Sequence, residues 1–233
     1  MTLYVHSLGK KLPSNYSAVS VEQGKFAFNE ALLKKLSPYN GSSVFIQSAW
    51  KTFPDFASYY SDDAKAASVG TSDISMISRL FDKDALHNTS SVNTMLRTVF
   101  SKPNSTNVDM DGLIFELMLV GGGRVLHAEP HTSVNPAWRK SYLLAELISG
   151  WQGGTDSKTV KQIKEDATFR KAAALKVATP GMGTYLNEAD RYDTTWKADY
   201  FGEPYSWLRA VKRKYDPHNV FYCWHCVGSE DWV

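Results

Sequence analysis

Cysteine is almost missing from this chain: 233 residues hold two, Cys223 and Cys226, both close to the C-terminus. That excludes a disulfide-dense small scaffold, and it leaves no four-cysteine zinc site. Charge of either sign is not in excess, since 26 basic and 24 acidic side chains give a net charge of +2. Nothing in that balance calls for a nucleic-acid partner. The one basic cluster, "RAVKRK" from Arg209 to Lys214, reads as the solvated face of a helix. No apolar run approaches the roughly 18 residues a membrane helix needs, so no membrane span is expected. The opening "MTLYVHSLGKKLPSNYS" has no apolar core behind a basic segment and is not read as a signal peptide. The phosphate-binding G-x-x-x-x-G-K-[ST], the dinucleotide G-x-G-x-x-G and the hydrolase G-x-S-x-G are all missing.

What is present is a chain with a real core: 43% hydrophobic and 13% aromatic residues, including seven tryptophans and twelve tyrosines. Such rings suit a pocket for flat or apolar molecules, and a large core uses them equally well. Four N-x-S/T sequons, at Asn15, Asn40, Asn88 and Asn104, point weakly to a secretory ancestry that the N-terminal residues do not support.

Along the chain, "FAFNEALLKKLS" (Phe26 to Ser37) has helical spacing with Asn29 as its cap. "SSVFIQSAW" reads as a buried strand, and a helix covers Phe53 to Ala67 after Pro54. "DISMISRLFDKDAL" and "SSVNTMLRTVF" read as one or two more helices. Leu113 to Val120 ("LIFELMLV") is a continuous apolar strand ending in Gly121, Gly122 and Gly123. With no P-loop lysine or following helix, that glycine tract reads as a bend where backbone or ligand approaches closely, and "RVLHAEP" as extended chain. Tyr142 to Trp151 ("YLLAELISGW") is a second apolar strand, followed by a helix from Lys158 to Val177 capped by Asp156 or Ser157. Beyond it the chain reads as extended to Tyr200, helical from Pro204 to Tyr215, and then as a tail. The class is α+β: a largely antiparallel sheet flanked by helices.

Glu146 is the residue most suggestive of chemistry. A carboxylate centred in an apolar strand must be paired, hydrogen-bonded or raised in pKa. It is then either a general base or the partner of a cation such as Arg124 or Arg139. His127 and His131 flank Glu129 in "HAEPH", which reads as a loop with ordinary histidines rather than a metal centre. The C-x-x-C of Cys223 and Cys226 has the spacing of a redox pair or half a zinc site. No helix follows it to lower a thiol pKa, so a packed or disulfide-linked tail is the better reading.

The last fifty residues are more specific. "YLNEAD" (Tyr185 to Asp190) and "YFGEPYSWLRAVKRKYDPHNVF" (Tyr200 to Phe221) resemble the C-terminal signature of the berberine-bridge-enzyme-like FAD-linked oxidases. These belong to the vanillyl-alcohol-oxidase flavoprotein superfamily. Glu188 stands where the family pattern has a second tyrosine, and Pro204 where it has an asparagine. The ending "FYCWHCVGSEDW" resembles the fungal branch, and "SVNPAWRKSYLLAELISGW" the strand on which relatives place an acid or glutamine facing the flavin.

The resemblance implies a substrate-binding α+β domain over residues 1–180 and a C-terminal berberine-like segment over 181–233. It implies FAD as cofactor, Glu146 and Tyr185 as catalytic residues, and Tyr185, Asn187 and Asn219 on the cofactor side. The R-x-G-G-H and G-G-x-C segments that attach flavin covalently in relatives do not occur. The expectation is therefore the C-terminal portion of an oxidoreductase acting on a small alcohol or natural product. A separate FAD-binding polypeptide or a homodimer would complete it. The alternative is a flavin-free pocket protein that binds a natural product or runs a non-redox cyclisation or isomerisation.

Overall fold

A computed structural model of the chain describes residues 33–41, 53–63, 73–102, 113–127 and 132–232. The chain divides into two compact units, Met1–Gly70 and Thr71–Val233. In the first, one helical turn at Lys34–Leu36 runs into a tighter turn at Ser37–Tyr39. Helix α1 spans Phe56–Asp63. The rest of the helix expected from Phe26, and the strand expected at "SSVFIQSAW", lie outside the described residues.

The second unit is built on a three-stranded antiparallel sheet. Strand β1 is Ile74–Asp82, β2 is Leu113–Leu119 and β3 is Ser141–Gly150, in the order β1-β3-β2. The antiparallel α+β expectation holds, but "ISMISRLFD" is a strand rather than a helix. Its apolar Ile74, Ile77, Leu80 and Phe81 mimic a helical stripe. Both faces are buried in the fold, including the polar Ser78 and Arg79, and that burial conceals the period of two. Asp82 ends the strand and caps helix α2 (Lys83–His87) by accepting from the Ala85 amide at 2.8 Å. Asn88 repeats the device for helix α3 (Thr89–Phe100).

The odd-numbered face of β3 presents Leu143, Ala145 and Leu147 to the main core. Ile77 and Phe81 of β1 join them, with Met95 and Val99 of α3 and Leu175 and Ala178 behind. Those last two lie on helix α4, residues 157–178, which Asp156 caps through the Thr159 amide at 3.0 Å. Its middle, Asp166–Ala172, widens into a π-helical segment. There Arg170 donates to the Thr98 carbonyl at 2.5 Å and the Ser101 carbonyl at 3.0 Å, tying α4 to the C-terminal end of α3.

Between β2 and β3 the bend is forced by a backbone approach. A Cβ on Gly121 would lie 2.0 Å from the Ser141 carbonyl oxygen. The chain then reverses through Gly122 and Gly123, both at positive φ, into a short 3-10 turn over Gly123–His127, where extended chain was expected.

After α4, residues 183–185 run along β1. The Leu80 amide donates to the Gly183 carbonyl at 2.9 Å, and the Thr184 hydroxyl to the Ser78 carbonyl at 2.7 Å. The region expected to be extended up to Tyr200 instead holds a 3-10 turn at Leu186–Glu188 and a wide turn at Lys197–Phe201. Asp193 nucleates the approach to the second by accepting from the Thr195 amide at 2.8 Å. Helix α5 is Tyr205–Tyr215. The tail folds back on it, and Cys223 and Cys226 are joined by a disulfide. His225, between them, takes positive φ and stacks on Trp196 with 4.9 Å between ring centroids.

Candidate active site: a carboxylate row on the open face of the sheet

The even-numbered face of the sheet carries the polar surprise. Register sets Ser78 of β1, Glu146 of β3 and Glu116 of β2 in one row, each directly opposite the next. Neighbouring rows are apolar: Leu80, Leu144 and Met118 on one side, Met76, Ile148 and Ile114 on the other. Ala137, Trp138, Met182 and Tyr185 pack over the Leu80–Leu144 side. The other side is more open, with Ile114 47% exposed.

Glu146 is only 7% exposed. No hydrogen bond or ion pair reaches its carboxyl among the described residues, so pairing with Arg124 or Arg139 does not occur. Arg139 donates to the Thr132 hydroxyl instead, at 3.4 Å. Burial, with the Glu188 and Glu116 carboxylates adding repulsion, pushes Glu146 up to about 7. Glu188 is itself pushed upward by burial and by Glu116, and its Oε2 is enclosed without a hydrogen-bond partner among the described residues. A carboxyl that is part protonated near neutrality, and not already bonded, is able to take or give a proton.

Tyr185 and Glu188 reach this face through the segment beside β1. The Ser78 hydroxyl accepts from the Tyr185 amide at 3.1 Å, which anchors the turn that carries Glu188 next to the Glu146 row. The Tyr185 ring meets Trp138 edge to face at 5.8 Å, and its hydroxyl accepts from Asn187 Nδ2 at 2.7 Å. Of the site residues read from sequence, Glu146, Tyr185 and Asn187 thus fall in one neighbourhood. Asn219 is not bonded to any of them. It occupies the turn after α5 at positive φ, with its amide donating to the Asp216 carbonyl at 3.1 Å, a position that suits asparagine for backbone reasons.

Two carboxylates were missed. Glu116 carries the same signal as Glu146, a charge centred in an apolar strand, within "LIFELMLV". Glu188 stands out in the sequence only as a departure from a family tyrosine. No sequence signal marks Ser78.

Residues 184–227 match the family model described as "Berberine and berberine like". The chain is 34% identical over 194 residues to the FAD-linked oxidoreductase hmp9 of Hypomyces subiculosus, covering 81% of this chain and 30% of that protein. To the bifunctional decalin synthase calF of Penicillium decumbens it is 30% identical over 182 residues, covering 77% of this chain and 31% of that one. Among solved structures it resembles the VAO-type flavoprotein MtVAO713 from Myceliophthora thermophila C1 with a TM-score of 0.77 and 28% identity. That match covers 90% of this chain and 36% of the other. The chain therefore spans about a third of the length of the relatives it matches. It belongs to the berberine-bridge-enzyme-like family of VAO-type flavoproteins, as a part of that family's fold.

Proposed function

We propose that the chain supplies the substrate-side half of an FAD-linked oxidoreductase site, with Glu146 as the group that exchanges a proton with a small alcohol or natural-product substrate. The observation that carries this reading is a buried carboxyl that meets no partner among the described residues, held near neutrality on the even-numbered face of the sheet.

The residues present fit one edge of a flavin. Tyr185 and Asn187 offer an aromatic ring and an amide beside Glu146, and they are the residues that would hold the ring system. They do not form a pyrophosphate cradle among the described residues, because the glycine tract at Gly121 is filled by the Ser141 backbone. When bound, FAD supplies a hydride acceptor. The chain's own part is to orient and to manage the proton. Glu146 in its ionised form takes the hydroxyl proton of the substrate. The Trp138–Tyr185 pair forms an aromatic wall beside it. The Ser78 bonds to residue 185 keep that wall in register with the sheet.

A second reading has a specific observation behind it. One relative is named a bifunctional decalin synthase, and a carboxylic acid near neutrality serves equally as the acid of a non-redox cyclisation.

The absorption spectrum of the purified chain, followed by titration with FAD, separates the two. Bound yellow flavin or roughly micromolar FAD affinity supports the redox reading. A folded, colourless chain that ignores FAD removes it for this chain alone and leaves the non-redox one. In either case Glu146→Gln is expected to lower turnover by about 100-fold or more with folding intact. Unchanged turnover would return Glu146 to a structural role.

A further inference from the structure

The C-x-x-C near the C-terminus has no part in the proposed function. Its disulfide closes a single tight turn, in which the Cys226 amide donates to the Cys223 carbonyl at 3.2 Å. A loop that short restricts the unfolded chain far less than a long one, so the cross-link is a weak staple. The tail is fastened by other means. Asp216 accepts from the Val220 amide at 2.8 Å and the Phe221 amide at 3.0 Å. The Trp224 indole donates to the Arg191 carbonyl at 2.8 Å, and Glu230 pairs with Lys197 at 3.0 Å.

What the cross-link does hold is His225. This residue sits inside the closed turn at a φ of 57°, a left-handed conformation that residues other than glycine keep only when held there. Its ring stacks on Trp196, with 4.9 Å between centroids and the planes 8° apart, and on Trp224 at 5.1 Å. Tyr200 gives its single proton to the Asp190 carbonyl at 2.5 Å, so at 3.3 Å its oxygen accepts from His225 Nδ1.

The disulfide is also open to attack, because Cys223 is exposed and Cys226 half-buried. Only the short 3-10 turn Ser229–Trp232 follows, with no long helix to lower a thiol pKa, so the pair is not built to turn over a substrate. Zinc does not suit it either, since among the described residues no third ligating side chain joins the two cysteines.

We propose that Cys223–Cys226 is a reversible redox modification site, reduced by a dithiol, and that its state sets whether His225 is docked on Trp196. A thiolate of the dithiol attacks the exposed Cys223 sulfur, and the S–S bond breaks with Cys226 leaving as a thiolate. The second thiol then attacks the dithiol's own sulfur in the mixed disulfide and releases Cys223. The chain gains two electrons and two protons, and the dithiol ends as a disulfide. With the link open, His225 is freed from its left-handed backbone and leaves the stack, while the anchors of the tail remain.

Dithiothreitol treatment of the full 233-residue chain, with iodoacetamide trapping and mass spectrometry, tests this. Reduction of the folded chain is expected to run within about tenfold of its rate in urea, with the circular dichroism spectrum unchanged. The ring-proton resonance of His225, identified by its loss in His225→Asn, is expected upfield over Trp196 before reduction. It should move to the free-histidine position on reduction and return on reoxidation. A chain carrying Cys223→Ser and Cys226→Ser is expected to show the reduced position from the start, with a urea midpoint close to the parent's. Free thiols in the air-exposed chain, or reduction slowed by more than about tenfold in the folded state, would overturn the proposal. So would a His225 resonance that reduction leaves unmoved, or loss of the fold on reduction or in the double variant.

Discussion

At the residue scale the site is a conflict of charge with burial. Glu146 holds its proton more tightly in the folded chain, at about 7, than at its ordinary 4.5, because burial and two neighbouring carboxylates disfavour the anion. Between those values the folded chain binds more protons than the unfolded one, so stability contributed here is full below 4.5 and declines as the pH rises through 7. Glu146→Gln removes the titration. It is expected to be more stable than the parent by about 1–3 kcal/mol near pH 8, with the difference closing near pH 4. Urea denaturation at the two pH values measures it. A variant that gains stability while losing turnover is the pattern of a residue kept for chemistry.

At the element scale, packing overrode local pattern in two places. Strand β1 shows helical spacing, yet it pairs with β3 along its whole length because Ser78 and Arg79 find buried partners at Thr184 and Thr179. Helix α4 reads as one uniform helix, but its π-helical middle places Lys171 in the interior against Asp166 at 3.2 Å, with Arg170 reaching α3. Neither feature has a sequence signature, since each depends on partners 69 to 106 residues away. The β2–β3 bend is the opposite case, legible from three glycines and the missing P-loop. Gly121→Ala would drive a Cβ into the Ser141 carbonyl, a rigid backbone atom. A loss of about 3 kcal/mol or more is expected, read as a lowered thermal midpoint. Gly123→Ala meets no atom within 4 Å and pays only for its positive φ, so it should cost less.

At the scale of the whole second unit, one buried ion network fastens the sheet, α4 and the C-terminal segment together. Arg79 of β1 pairs with Asp199, which also accepts from Lys176 of α4 and from the Thr195 hydroxyl at 2.6 Å. Burial by itself would raise Asp199. That is the largest single influence, but the Arg79 charge and the hydrogen bonds from Lys176, Thr195 and Arg79 together outweigh it and hold the carboxyl at about 2. Because the folded value lies below the ordinary 3.8, this stabilisation is present above about pH 4 and is lost as the pH falls through 2. Arg79→Met leaves a buried carboxylate short of its main partner, and a cost of about 3–5 kcal/mol is expected by denaturant titration. A cost under about 1 kcal/mol would mean that Lys176 alone suffices.

The sequence by itself determined the class of fold, the family, the β2–β3 bend and the presence of a carboxylate, Glu146, in the middle of an apolar strand. Each of these is local: an apolar run with one charge inside it, a glycine tract, a dense C-terminal signature. Only the tertiary structure decided that "ISMISRLFD" is a strand, that Glu146 meets no cation among the described residues, and that the Glu116 and Glu188 carboxylates act on it. The physical reason is that burial and charge environment are sums over neighbours. The neighbours of Glu146 come from two other strands and a turn some 30 to 70 residues distant in sequence.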